Sequence, residues 1–350
     1  MPLPGTAQPD INKFSIEEIL DKADSFIEEY NYEMAQKFLE RALEINADHP
    51  RALETTASLL LEAGEIEKAK QCLGRAITVQ PNQGHTKYFS LAQLFNGDES
   101  LQIYRQGIRV AEEILSQLEA DEAKEAKKEC ASAYCAVAEL YMTDLCDEPS
   151  AETECTNSVQ KAVEIDPDNP EAWQTKARLH LIKSEFDAAR ESLNKSLDLW
   201  LPKYTAVLEN RAEAAGNFDP VELCPLIYTT RLSTARMLIE LEEWDKAQSV
   251  LDGLIEEDED IVDAWYLLGW LNKLRTDTEK DDMYLGAARY YLQHAKEVHI
   301  KNPTKDKEMV KHIEELINEI GPEPVDENAD DKDEDDEENW EDEDEEMEEN

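Results

Sequence analysis

Small and large apolar residues recur three or four positions apart through most of the chain, in paired sets with a turn between them. Across residues 50–83, Ala57 and Leu60 mark one helical face, and Ala69, Leu73 and Ala76 mark a second. Gly64 lies between the sets, where a tight turn would fold the second helix back on the first, and Pro81 closes the unit. A shift of thirty-four residues lays Ala35, Leu39 and Ala42 over Ala69, Leu73 and Ala76, and Cys155, Val159 and Ala162 over Ala189, Leu193 and Ser196. Alanine suits the points where two helices approach most closely, and leucine fills the wider gaps beside them.

The same spacing carries along the chain. Ser15 and Glu18 form a capping box ahead of a first unit, with Ile19, Ala23, Phe26 and Ile27 on one helix and Ala35, Leu39 and Ala42 on the next. A looser third unit places Phe89, Ala92 and Phe95 on its first helix and Asn96 and Gly97 in the turn. Its second helix carries Tyr104, Ile108 and Ala111 and runs on through Leu118. The fourth carries Ala131, Tyr134, Ala138 and Tyr141, then a turn over 144–152 about five residues longer than the period needs. Trp173, Ala177, Phe186, Ala189 and Leu193 restore the register, and after Trp200 it breaks. Residues 201–225, with Pro202, Gly216, Pro220 and Pro225, are expected as an insertion holding at most one short helix, over 204–215. A sixth unit (Ala235, Leu238, Trp244, Ala247, Leu251) and a seventh (Trp265, Leu268, Gly269, Ala288, Leu292, Ala295) follow, the latter with a lengthened turn around 276–282. Residues 307–320 form one more amphipathic helix, the cap that a stack needs over its last apolar face. The expected organisation is all-α: a disordered leader over 1–14, about seven helix pairs plus a capping helix over 15–320, and a disordered acidic tail over 321–350.

Charge changes this picture from architecture toward partners. The chain of 350 residues has a formal charge of −47. Residues 321–350 hold nineteen carboxylates against Lys332, which leaves −29 for the repeats, so the folded part is acidic too. Such a surface repels nucleic acid and anionic lipid and steers cationic proteins toward itself. No direct nucleic-acid binding and no membrane contact are expected. The opening residues have no basic and apolar succession of a secretory signal, and no apolar run has the length of a membrane span. The six cysteines include no Cys-x-x-Cys pair, and the six histidines (His49, His85, His180, His294, His299 and His312) are scattered. No metal, cofactor or catalytic constellation is expected, so a binding protein is favoured over an enzyme.

A thirty-four-residue period with these small and large positions resembles the tetratricopeptide repeat (TPR). The resemblance implies a right-handed TPR-like helical-repeat solenoid whose first helices line a concave groove. In that register Glu17, Asp24, Glu28, Glu54, Glu62, Glu139 and Glu171 are the groove acids, interrupted by Arg51, Arg178, Arg236 and Lys273, although any helix face in so acidic a chain would carry carboxylates. Trp173 and Trp265 take the position that packs between helices. Tyr266 and Trp270 share a face that either anchors a partner or packs on the capping helix. The lysine and asparagine clamp with which many TPR co-chaperones grip an acidic peptide is missing: Leu20, Asp24 and Thr55 stand in its places.

About seven such units, the run Trp265-Tyr266-Leu267-Leu268-Gly269-Trp270 and a tail containing Asn339-Trp340-Glu341 together resemble the dedicated assembly chaperones of the large-subunit ribosomal protein called L-four. The resemblance implies a holdase that takes up this newly made, strongly basic protein by an internal loop and keeps it soluble and off stray RNA. It would accompany the client from cytoplasm to nucleus. A chaperone of histones or other basic nuclear cargo, and a scaffold subunit of a protein complex, fit the same residues.

The tail has too few apolar residues to offset chain entropy, so it is expected to steer without packing. Removing residues 322–350 should leave the melting temperature unchanged and slow the association of a basic partner at low ionic strength in stopped-flow mixing. Equal association rates would rule out a steering tail.

Overall fold

The computed structural model describes residues 14–119, 122–209 and 224–321; the expected leader before Phe14, the acidic tail beyond Gly321 and residues 210–223 of the insertion lie outside these. Among the described residues there are sixteen helices and no strand. The chain divides into two compact units, Met1–Thr230 and Arg231–Asn350.

In the first unit, five antiparallel pairs follow in order: α1 (Ile16–Glu28) with α2 (Tyr32–Ile45), α3 (Pro50–Glu62) with α4 (Ile66–Val79), α5 (Thr86–Ala92) with α6 (Gly97–Leu115), α7 (Ala123–Met142) with α8 (Ala151–Ile165), and α9 (Pro170–Ile182) with α10 (Phe186–Asp198). A single helix, α11 (Leu201–Glu209), comes next. Then α12 (Tyr228–Glu240), which begins at the unit boundary, precedes α13 (Trp244–Glu257), the pair α14 (Val262–Glu279) and α15 (Met283–Lys301), and the capping helix α16 (Lys307–Ile320).

Local chemistry explains the boundaries. Ser15 and Glu18 close the expected capping box, with the Ser15 N–H donating to the Glu18 carboxylate at 2.8 Å. Pro50 and Pro170 occupy the first helical position of α3 and α9, where a missing N–H costs nothing. The regular turns share one closure. Tyr30, Gly64, Ser184 and Glu242 all have left-handed backbones, with φ of 57°, 73°, 59° and 59°. In each case the next residue's N–H reaches back to close the helix: Asn31 to Phe26, Glu65 to Leu60, Glu185 to His180 and Glu243 to Leu238, at 2.7 to 2.9 Å. Only one of the four is glycine, so three side chains tolerate a backbone region that costs about 1 kcal/mol or more, because the closing bonds and packing hold it.

Packing follows the small residues. Ala23, Ala35, Ala57, Ala69, Ala177, Ala189, Ala235 and Ala247 are fully buried, with Leu39, Leu73, Leu193 and Leu251 beside them. Two glycines mark still closer contacts. A methyl group at Gly107 would come within 2.7 Å of Phe89 and Tyr88, and one at Gly269 within 2.5 Å of the Leu292 side chain.

Several expected boundaries move. Phe95 falls outside α5, in the turn, where it packs beside Leu91 and Leu73 and carries the Lys70 ammonium 4.5 Å above its ring. Gly97 belongs to the first turn of α6, its N–H donating to Asp144 at 2.9 Å, and α6 ends at Leu115, before Leu118. The lengthened turn expected around 276–282 is mostly helix. Pairs four residues apart, Lys273 with Asp277 and Arg275 with Glu279, carry α14 on to Glu279, and Lys280 turns left-handed to end it. In the insertion, α11 starts at Leu201 instead of 204, because Pro202 sits in a first helical turn. Trp200 and Tyr204 are fully buried there, with ring centroids 5.7 Å apart. Trp265 is buried as expected, but Trp173 is only partly so, flanked by the Lys176 and Lys195 ammonium groups.

Gly269→Ala should lower stability by about 1 to 3 kcal/mol through overpacking against Leu292. Gly286, in α15 with open space around it, is the control: Gly286→Ala should be neutral or gain about 0.5 to 1 kcal/mol from helix propensity. Urea titration of both variants measures the difference, and equal midpoints would show that α14 and α15 can part without cost.

Candidate functional site

The candidate residues fall into two sets, the acids in the first unit and the aromatic pair in the second. The acids do not stand as a bare negative strip. Arg51 on α3 reaches α1 and meets Glu17 at 3.3 Å, Asp21 at 2.8 Å and Asp24 at 2.6 Å. Hydrogen bonds to Asp24 and then Asp21 hold its guanidinium well above even its usual range. His49 adds a contact to Glu17 at 3.3 Å. Glu54 on α3 faces Lys87 of α5 at 3.5 Å. That lysine side chain is entirely buried, and its ammonium has no hydrogen-bond partner within the protein, which makes the Glu54 charge its main compensation. Glu139 on α7 accepts from Arg178 of α9 at 2.6 Å. Glu28 and Glu62, the last residues of α1 and α3, are exposed.

Further cross-ties join the same row of first helices. His85, just before α5, meets Glu129 of α7 at 2.6 Å. The Ser132 hydroxyl on α7 donates to Glu171 of α9. Burial pushes the Glu171 carboxyl above its ordinary range, and this hydrogen bond opposes the shift. In the second unit Arg236 of α12 holds Asp263 of α14 at 2.8 Å, and Lys273 of α14 holds Glu319 of α16 at 3.0 Å. The four expected interruptions, Arg51, Arg178, Arg236 and Lys273, are therefore the links between successive helices. Asp21, Lys87, Glu129 and Ser132 went unnoticed in the sequence. A detectable signal existed for Arg51, which sits one period after Glu17, and for Arg178, which sits one period plus the five-residue extension after Glu139.

Tyr266 and Trp270 lie side by side on α14, their rings stacked at 6.2 Å and 7°. Both are partly buried among Trp265, Leu292, Ile313 and Leu316. His312 of the capping helix sets its ring edge-on to each, and its Nδ1 lies 2.8 Å from the Tyr266 hydroxyl. Burial raises the Tyr266 hydroxyl above its ordinary value. The pair thus fixes the capping helix and leaves part of each ring in solvent.

Nothing in either set brings a nucleophile and a base together. Among the described residues no group of three or more His, Cys, Asp and Glu could hold a metal ion, and no helix is long and apolar enough to cross a membrane.

Stacked helix pairs with polar links between successive first helices define a tetratricopeptide-repeat solenoid, a binding scaffold. The tetratricopeptide repeat family models match residues 26–94 and 159–191. "Probable assembly chaperone of rpl4" from Schizosaccharomyces pombe is 32% identical over 281 residues, covering 76% of this chain and 79% of that protein. The chain belongs to the family of these assembly chaperones of rpl4. A protein of the same name from Emericella nidulans is 26% identical over 345 residues, covering 89% of this chain and 83% of that protein. Among solved structures, "Assembly Chaperone of RpL4 (Acl4)", residues 1–338, superposes with a TM-score of 0.66 at 28% identity, covering 76% of this chain and 99% of that one. The Cut9–Hcn1 structure, at 11% identity and a TM-score of 0.55, covers 89% of this chain and 50% of its own, and shares the fold.

The raised Glu171 carboxyl has a consequence for stability. The folded state binds this proton more tightly than the unfolded chain, so the contribution is favourable below the ordinary carboxylate range and is lost as pH rises through the raised folded value. Glu171→Gln keeps an acceptor for Ser132 and should flatten that slope, raising the melting temperature more near neutrality than at about pH 4. Parallel melting curves of the two proteins across that range would contradict it.

Proposed function

We infer that this chain is a dedicated chaperone of newly made rpl4, a strongly basic large-subunit ribosomal protein, and that it keeps this client soluble until ribosome assembly. The observation that carries the inference is the 32% identity along 281 residues to the S. pombe protein. The formal charge of −47 supports it independently, since it favours a cationic client and disfavours RNA. The chemistry asked of the protein is binding, not catalysis.

The client is held by the first helices of the first unit and by the aromatic pair of the second. Glu28 and Glu62 offer exposed carboxylates, Glu17, Asp24 and Glu139 can exchange part of their internal pairing for the client's lysines and arginines, and Glu54 adds its partly exposed carboxylate while keeping Lys87. Tyr266 and Trp270 supply apolar contact that salt does not screen, and the screening length falls from about 10 Å at 0.1 M to about 3 Å at 1 M. Long-range charge then sets the rate of capture, and the aromatic pair sets how long the complex lasts. In this scheme the complex forms in the cytoplasm and travels to the nucleus on the client's own basic signals.

The purified chain should retain rpl4 at salt concentrations that strip off a core histone. Trp270→Ala should shorten the rpl4 complex's lifetime, costing on the order of 2 kcal/mol, and leave histone binding unchanged. Surface-based dissociation rates over a salt series measure both. Equal salt sensitivity for the two clients would remove the dedicated function, and an unchanged rpl4 lifetime in folded Trp270→Ala would remove Trp270 from the site.

A further inference from the structure

The connection between α7 and α8 is longer than a helix pair requires. Regular pairs turn in three residues, as at 29–31, 63–65 and 183–185, whereas 143–150 takes eight. The additional residues are tightly placed. Leu145 is buried and its N–H donates to the Leu140 carbonyl at 2.9 Å, while Asp144 accepts the Gly97 N–H of α6. Beneath this connection, the end of α7, the start of α8 and the end of α9 enclose a cavity of about 320 Å³. Its floor is Tyr141, Cys155 and Leu179, all buried, and its rim is Met142, Cys146 and Ile182. Ile182 is 60% exposed at the mouth of this cavity.

The surroundings indicate what could enter. From Thr143 to Gln160 there are five acids, Asp144, Asp147, Glu148, Glu152 and Glu154, and no lysine or arginine. The cation that does line the cavity, Lys183, is tied to Glu152 at 3.0 Å and to the Thr156 hydroxyl at 3.2 Å. An apolar pocket whose lining carboxylate, Glu152, is paired with Lys183, and beside which the connection carries the exposed acids Asp147 and Glu148, matches one large apolar side chain flanked by lysine or arginine. The volume lies at the small end of the range for binding pockets, about 300 to 1,000 Å³, which suits a single anchor and not a cofactor. Because the connection is fixed on α6 before anything binds, little ordering cost opposes entry.

We propose that this pocket is an anchor site for an apolar residue within a basic segment of the client, separate from both the acids of the first-helix row and the Tyr266–Trp270 pair. The proposal rests on the chaperone function inferred above. It adds a source of selectivity, since a basic segment without the anchor would feel the same charge but leave the pocket empty.

Cys146 makes the pocket directly observable. It is exposed, whereas Cys130, Cys135, Cys155 and Cys224 are buried and Cys72 is half-buried. In the full-length chain, saturating rpl4 should slow maleimide alkylation of Cys146, read by peptide mass spectrometry, by about tenfold or more and leave Cys72 unaffected. Ile182→Gln, a change at an exposed position, should raise the dissociation rate of the rpl4 complex by about tenfold with the salt dependence unchanged. Alkylation at the free rate in the complex would show the pocket empty and overturn the proposal, with the chaperone function intact. Slowed alkylation with an unchanged dissociation rate would mean covering without insertion, and would overturn it equally. Failure of the unmodified chain to bind rpl4 at all would overturn the function and the pocket together.

Discussion

Paired helices in this chain meet where nothing larger than a methyl group fits, and that closeness governs what every other side chain can reach. Ala35, Ala69, Ala189 and Ala247 have no exposed surface, and at Gly107 and Gly269 even a methyl would overlap the facing helix. With the backbones so near, the wider gaps on either side accept leucine and aromatic side chains, and each pair becomes a rigid block. Stacking the blocks then presents each first helix to the next at a repeating offset. Polar side chains one repeat apart meet because of that offset, which is how Arg51 comes to lie among Glu17, Asp21 and Asp24.

Much of this was legible in the sequence, and what was not has identifiable causes. The first, second, fifth and sixth pairs follow the period with short turns, so spacing alone located them, and the capping helix declared itself by its apolar stripe. Of the four left-handed turns only Gly64 carries a glycine to mark it, because Tyr30, Ser184 and Glu242 adopt the same backbone without the residue that usually signals it. The end of α14 was obscured because polar residues there stabilise helix through pairs four apart instead of breaking it. Trp200 and Tyr204 looked like the start of an irregular stretch, since the alanine spacing stops there. In fact both rings are fully buried and packed edge to face.

The acids teach a different lesson. Family register picked out Glu17, Asp24, Glu54 and Glu139, but it placed Arg51 and Arg178 among them only as interruptions, not as their partners on the following first helix, and it missed Lys87. These carboxylates hold the stack together, most acutely Glu54, which compensates the buried charge of Lys87, and in the proposed function they would also meet a cationic ligand. The structural seam already engages these groups, so surface charge alone overstates how many acids are free to bind. The unpaired excess resides in residues such as Glu28 and Glu62.

The links between first helices also set the order in which the chain can acquire its structure. Those described above join residues 27 to 46 positions apart, from Asp24 with Arg51 to Tyr266 with His312. None of them waits for a distant terminus. Contacts this local favour rapid formation, and on a growing chain the amino-terminal pairs can lock while the later ones are still being translated. Under the proposed function, the first helices would then be in place for a client before the chain's own synthesis ends.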